Sequence, residues 1–181
     1  MDYEDEVGLI NGFKEPLGLE EYSELFDKSF GNISDKNERE KHLEYQRNII
    51  KMFKEFYFQN DSSVIVRLWY FDKMDDLGLY EEENLFLYDE LEKKQLKDVL
   101  SSLSGKELLY GKKFKIEKLE DLEIILKFQL RTYRTADFYF DKLKFMLKGS
   151  YEYNILVFGD FAENEYNKIL KENNLYYKCL D

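Results

Sequence analysis

The strongest constraint on the fold is a long helical pattern that is followed directly by a strand pattern. Apolar side chains recur at helical spacing through DKNEREKHLEYQRNIIKMFKEFYF, residues 35–58, and Ser34 can cap the helix that this predicts. The apolar stripe consists of Leu43, Ile49, Ile50, Phe53, Phe56 and Tyr57. NDSS at residues 60–63 is a turn cluster, and the β-branched and aromatic run after it predicts a strand over residues 64–71. The chain therefore combines helices and strands.

The rest of the chain continues this mixture, without the regular alternation of βαβ units. That order favours an α+β fold, a single domain over residues 1–181 with a mixed or antiparallel sheet packed with several helices. Residues 1–15 are expected to be acidic and flexible. Periodicity predicts further helices over 19–30, 90–103, 136–149 and 165–173, a strand or hairpin over 108–118, and strands over 123–133, which also fits a helix, and 151–159.

The strand predicted over residues 64–71 contains one charged residue before its end, Arg67. Burying an unpaired guanidinium would cost several kcal/mol or more. We therefore expect Arg67 to reach a strand end or a carboxylate.

The net charge of −11 is concentrated in two blocks. Residues 1–35 carry ten acids and two bases, and residues 72–92 carry nine acids and one base. Such a field repels nucleic acid, which proteins bind through Lys and Arg, and it attracts a basic protein. The alternative is that both blocks only keep the protein in solution.

Composition also bears on where the protein works. Cys179 is the only cysteine, so no intrachain disulfide can form, and the first residues, MDYEDE, are acidic, unlike the start of a secretory signal. No apolar stretch approaches the roughly 20 residues that a membrane-spanning helix needs. We expect a cytoplasmic protein that does not enter a membrane.

Residues with catalytic potential are sparse. The only histidine, His42, lies among charged neighbours on the long predicted helix and is expected at the surface, and Cys179 lies next to the carboxyl terminus. The chain has no GxSxG elbow, no phosphate-binding loop and too few Cys and His for zinc. We expect no catalytic residues, no cofactor and no enzymatic activity.

Two chemical interpretations stay open beside that expectation. DKMDD at residues 72–76 could supply Asp72, Asp75 and Asp76 as ligands of a metal-dependent hydrolase, at the end of a predicted strand. Arg131 and Arg134 could contact an anion, although a surface pair with a nearby Asp or Glu is the commoner role of such arginines.

The stretch DDLGLYEEENLFLYDE, residues 75–90 and here called the acidic segment, combines seven carboxylates with seven large apolar or aromatic side chains. Aromatic anchors inside an acidic rim are typical of a protein interface. The alternative is that its leucines face the core while the acids face water. The predicted partner-binding residues are Asp75, Asp76, Tyr80, Glu81, Glu82, Glu83, Tyr88 and Asp89.

In general character the chain resembles the small acidic bacterial immunity proteins that neutralise toxins of contact-dependent or polymorphic systems. The shared features are size, acidity, many Tyr and Phe residues and few Cys, His and Pro residues. The resemblance implies an inhibitor that binds a basic toxin domain, for example a nuclease, either in its active site or beside it. A carboxylate-based metal-dependent hydrolase and a subunit or scaffold of a larger assembly are the alternatives.

Overall fold

The computed structural model describes residues 6–12, 36–69, 89–104, 111–132, 136–149 and 154–180. Within these ranges the chain forms four helices and seven strands. The helices are α1 (Lys36–Gln59), α2 (Glu90–Ser104), α3 (Leu119–Thr132) and α4 (Glu163–Glu172). The strands are β1 (Glu6–Asn11), β2 (Val64–Leu68), β3 (Lys113–Ile116), β4 (Ala136–Phe140), β5 (Phe145–Gly149), β6 (Ile155–Gly159) and β7 (Tyr176–Cys179).

All seven strands join one sheet in the order β3-β2-β4-β5-β6-β1-β7. Every neighbouring pair is antiparallel. The α+β prediction is therefore confirmed, and of its two sheet types the structure has the antiparallel one.

Helices α1, α3 and α4 lie over one face of this sheet, and helix α2 packs against α3. The Phe53 ring of α1 lies 4.9 Å from the Phe138 ring of β4, and Phe56 lies 5.1 Å from Phe145 of β5. Tyr166 of α4 packs against the same Phe145 at 5.3 Å. These edge-to-face rings form the centre of the core, and all four phenylalanines are fully buried.

Helix α3 lies beside both α1 and α2, and it contacts the sheet at β3 and at Gly149 of β5. The Gln129 side chain lies directly against the Cα of Gly149, and a Cβ at this position would overlap its amide. A larger residue at position 149 would force the Gln129 amide to move.

Two element types need correction. Residues 123–132, predicted as a strand with a helix as the alternative, lie in helix α3, in which eight of the ten residues 122–131 are buried. Residues 136–149, predicted as a helix, form the hairpin β4–β5, and all five residues of β4 are buried. In both cases burial on all sides removes the polar positions from which periodicity distinguishes a helix from a strand.

The amino-terminal prediction also needs correction. Residues 6–11, expected within a flexible segment, form strand β1, which lies between β6 and β7 inside the sheet. Ile10 is fully buried, so one side of this strand faces the core. A bulge near Gly8 interrupts the pairing with β6. The helix predicted over residues 19–30 lies outside the described residues.

The remaining predicted helices and strands agree with the structure where their residues are described. Helices α1, α2 and α4 and strands β2, β3 and β6 lie where the sequence patterns predicted them, with small differences at their ends. No helix within the described ranges has the length and apolar character needed to cross a membrane.

Candidate functional site

Of the eight predicted partner-binding residues, Asp89 is the one that the structure describes. The other seven lie outside the described residues: Asp75, Asp76, Tyr80, Glu81, Glu82, Glu83 and Tyr88. Asp72 and Arg134, from the two chemical interpretations, lie outside them as well. The described part of this region therefore consists of its two flanks, Trp69 on one side and Asp89 on the other.

On the carboxyl-terminal flank, Asp89 caps helix α2. Its Oδ1 accepts a hydrogen bond from the backbone N–H of Glu92 at 2.8 Å, and its carbonyl accepts one from Lys93 at 3.1 Å. An aspartate in this position satisfies a free N–H and interacts favourably with the positive end of the helix dipole. The Asp89 side chain is thus oriented while it remains exposed.

The next two residues leave a mixed surface in solvent. The Glu90 side chain is 89% exposed and Leu91 is 74% exposed, the highest value among the exposed large apolar residues that the structure describes. The helical pattern over residues 90–103 predicts that Leu91 faces inward together with Leu96, Val99, Leu100 and Leu103. For Leu91 that prediction is wrong. Single exposed leucines are common on proteins, but this one follows two exposed carboxylates at the end of the acidic segment.

On the other flank, the end of β2 is held by a buried carboxylate. Arg67 and Asp137 lie directly opposite each other on β2 and β4. Asp137 Oδ2 accepts hydrogen bonds from Arg67 Nε at 2.9 Å, Arg67 Nη2 at 2.7 Å and Trp69 Nε1 at 2.8 Å. The expectation that Arg67 needs a carboxylate is confirmed, and the partner comes from 70 residues along the chain.

Aromatic rings complete this group, on the sheet face away from the helices. The Arg67 guanidinium lies 4.3 Å from the centre of the Trp69 ring, and Lys113 Nζ lies 4.4 Å from that of Tyr139. Asp137 is 1% exposed, and its Oδ1 has no hydrogen-bond partner among the residues that the structure describes. The arrangement orients Trp69, which directly follows β2 and is the last described residue before residues 70–88.

A second group of charges ties α2 to α3 and α1. Glu92 accepts hydrogen bonds from Arg131 Nη1 at 2.8 Å and Lys127 Nζ at 2.5 Å, and Arg131 Nε donates to Gln46 of α1 at 2.8 Å. Burial, the largest influence, would raise the pKa of Glu92, but the hydrogen bonds and positive charges of Arg131 and Lys127 outweigh it and lower that pKa. The first turn of α2 therefore contains a carboxylate, Glu92, whose ionised form is stabilised by Arg131 and Lys127.

Two sequence-based placements change at this point. Arg131 does pair with an acid, as expected for an arginine of its type, but the pair is buried between helices and does not lie at the surface. His42 was expected at the surface and is 4% exposed, on a helix turn that also contributes the buried Gln46. The charged residues of both signs around His42 led to the prediction of an exposed position.

The described residues are close to neutral as a set. They contain 22 Lys and Arg residues and 20 Asp and Glu residues, a net charge of +2, whereas the whole chain has 27 and 38, a net charge of −11. In these ranges no three His, Cys, Asp or Glu side chains come together in a way that could hold a metal ion. The acidity is thus concentrated in the remaining residues, which include most of the acidic segment.

The scan against family models, the search of curated proteins and the search of solved structures each found no match to this chain.

Proposed function

We propose that the protein is a protein-binding inhibitor of the immunity type, which neutralises a basic toxin domain through the acidic segment. The observation that carries this proposal is the start of α2, where exposed Glu90 and Leu91 follow the capping residue Asp89. Acidic side chains beside an uncovered apolar side chain match the rim and centre of a protein interface.

The charge distribution supports a cationic partner. The residues outside the described ranges carry 18 of the 38 acids and 5 of the 27 bases. The near-neutral framework cannot supply the long-range field, so the field must come from those residues. A field of this sign steers a basic protein towards the surface and raises its association rate.

The flanking contacts support a segment that starts and ends at defined positions. Trp69 is held by Asp137 and stacked on Arg67, and Asp89 caps a helix that is tied to α3 through Glu92. Rigid flanks reduce the entropy that binding has to overcome. The proposal assigns the contact with the toxin to the acidic segment as a whole.

The test is reversal of five acids, Asp75, Asp76, Glu81, Glu82 and Glu83, to Lys in one variant. Wild-type protein, immobilised and exposed to lysate of its own source cells, is expected to retain a basic protein whose activity it inhibits in a purified assay. The variant is expected to lose both capture and inhibition, because every reversed charge would repel the partner.

The matched control reverses exposed acids elsewhere, Glu40, Glu44, Glu165 and Glu172, which lie on the outer sides of α1 and α4. This control should still inhibit. Equal losses in both variants would mean that net charge alone is responsible, and a partner that is not basic or is not inhibited would contradict the proposal.

A further inference from the structure

The two edges of the sheet differ in their side chains. Strand β3 forms one edge, and two of its four residues are exposed lysines, Lys113 and Lys115. Lys113 lies over the Tyr139 ring, and Lys115 pairs with Glu117. Charged side chains on an edge strand, lysine above all, oppose its pairing with another chain. The β3 edge therefore disfavours the addition of a strand.

Strand β7 forms the other edge and has less protection. It contains no proline, its pairing with β1 runs without a bulge from Cys179 opposite Gly8 to Tyr176 opposite Asn11, and within the described residues β1 is its only neighbour. Two of the four exposed large apolar side chains that the structure describes lie here, Tyr176 at 38% and Leu180 at 39%. A straight edge with exposed apolar side chains is suited to receive a further strand.

The register shows which backbone groups of this edge face away from β1. The Leu180 N–H donates to the Val7 carbonyl at 3.2 Å, so the even-numbered residues of the strand direct their backbone groups towards β1. The odd-numbered ones, Tyr177 and Cys179, direct their N–H and C=O groups to the open side. No described residue forms a hydrogen bond with these groups. They are placed to pair with an added strand.

The side chains of this edge form a pattern that a partner strand would meet. Tyr177 points to the core side of the sheet, where its ring lies 5.0 Å from that of Phe161. The exposed residues Tyr176, Lys178 and Leu180 therefore share the other side, in the order apolar, basic, apolar.

The charge of Lys178 is not balanced within the described residues. Its neighbour across the β1–β7 pair is Leu9, and it forms no ion pair there. Opposite charges on directly facing strand residues stabilise a sheet, and like charges destabilise it. A second copy centred on the same edge would place its own Lys178 in the facing position. An acidic residue of a different chain fits that position better.

We propose that the β7 edge binds an extended segment of another protein as an additional antiparallel strand, with an acidic residue opposite Lys178 and apolar residues opposite Tyr176 and Leu180. The backbone groups of Tyr177 and Cys179 supply the hydrogen bonds, and the alternate side chains select the segment. This inference goes beyond the proposed function, because β7 belongs neither to the acidic segment nor to its flanks.

The experiment measures amide hydrogen exchange of the isotope-labelled protein by NMR. The ligand is a capped seven-residue peptide in which four threonines alternate with leucine, glutamate and leucine. At saturating peptide the amides of Tyr177 and Cys179 should exchange at least about tenfold more slowly, because they become hydrogen-bonded, and those of residues 113–116 on the β3 edge should not change. A peptide methylated on the two threonine nitrogens beside its glutamate should not bind, whereas methylation of its two leucine nitrogens, which face away from β7, should be tolerated.

The charge pairing is tested by exchanging the acid. A peptide with lysine in place of glutamate should bind the wild type about threefold more weakly, and Lys178→Glu should reverse this preference. Lys115→Glu, an exposed lysine on the other edge, is the matched control and should keep the wild-type preference. Lys178 is exposed, so its variant should keep the thermal unfolding midpoint of the wild type, and the methylated peptides test the inference on the unaltered protein.

Several results would overturn the inference. They are unchanged exchange at Tyr177 and Cys179, equal binding of the two methylated peptides, and an unreversed preference in Lys178→Glu. Slower exchange of the same two amides when the protein alone is concentrated would show that a second copy occupies the edge, and it would overturn the inference as well. Failure of peptide binding leaves the proposed function intact, and a five-acid variant that still inhibits the toxin leaves the β7 edge intact.

Discussion

At the scale of single residues, the buried carboxylate of Asp137 is predicted to contribute strongly to stability. Asp137→Ala would leave the Arg67 guanidinium and Trp69 Nε1 without their acceptor. We expect the free energy of unfolding to fall by about 3 kcal/mol, measured by urea denaturation. Glu172→Ala, which removes the acid of the exposed pair with Lys168, should change it by less than about 0.5 kcal/mol. Equal effects would contradict the role assigned to Asp137.

At a second residue, Lys144, a substitution is predicted to stabilise the fold. Lys144, in the turn between β4 and β5, has φ of 63°, which L side chains adopt at a cost and glycine adopts freely. Lys144→Gly should therefore raise the free energy of unfolding by about 1 kcal/mol. The same change at Lys142, whose φ is not positive, should lower it. A thermal melt of both variants measures the difference, and a loss of stability in Lys144→Gly would refute the prediction.

Residue-level predictions from sequence succeeded where local chemistry was decisive. An arginine inside a strand needs a carboxylate whatever the fold, and Arg67 has one. Which of 38 acids it would be depended on the pairing of β2 with β4, which no local pattern contains. The prediction that His42 is exposed was wrong for a related reason. Whether one side of a helix is buried depends on the neighbouring elements, here α3 among them.

At the scale of elements, the contact between α3 and β5 depends on the missing side chain of Gly149. Gly149→Ala would place a Cβ into the Gln129 amide, and we expect a loss of about 1–3 kcal/mol in unfolding free energy. The double variant Gly149→Ala with Gln129→Ala should recover part of that loss, because the shortened side chain leaves room. Denaturation of the wild type, both single variants and the double variant gives the coupling energy, and simple additivity would contradict this contact.

The junction of α2 with α3 predicts a pH dependence. The pKa of Glu92 is lower in the folded state than in the unfolded chain, so its contribution to stability is complete above the unfolded value of about 4.3 and is lost as pH falls through the folded one. Glu92→Gln should cost about 2 kcal/mol at pH 7, and the difference from wild type should shrink below about pH 4.5.

Glu90→Gln is the matched control for this pH series, because its side chain is almost fully exposed. It should follow the wild-type curve at every pH. A constant difference between Glu92→Gln and wild type down to pH 3 would show that the carboxylate charge is not involved.

Element types were predictable where one side of an element meets water. Helix α1 and helix α4 alternate buried and exposed positions at helical spacing, and both were found from the sequence. Helix α3 and hairpin β4–β5 are buried nearly throughout. The sequence left strand and helix open for the first and wrongly predicted a helix for the second. For such segments the distinction comes from the sheet register and the neighbouring helices, which are long-range properties.

At the scale of the whole molecule, a nearly neutral framework accounts for the fold and the remaining residues account for the acidity. Seven antiparallel strands and the helices on one face bury the aromatic core, and the described residues carry a net charge of +2. The sequence indicated the fold class and the acidic segment. It did not indicate the exposed Leu91 and Phe58, whose exposure depends on how the helices pack.

The central claim is that the charge of the acidic segment recruits a cationic protein. The most direct measurement is the association rate constant with the captured basic partner as a function of ionic strength, for wild-type protein and for the variant with Asp75, Asp76, Glu81, Glu82 and Glu83 changed to Lys. The account predicts a wild-type rate that falls steeply with added salt, and a variant rate that is at least tenfold lower at low salt and nearly independent of it. Identical rates and identical salt dependence in the two proteins would contradict it.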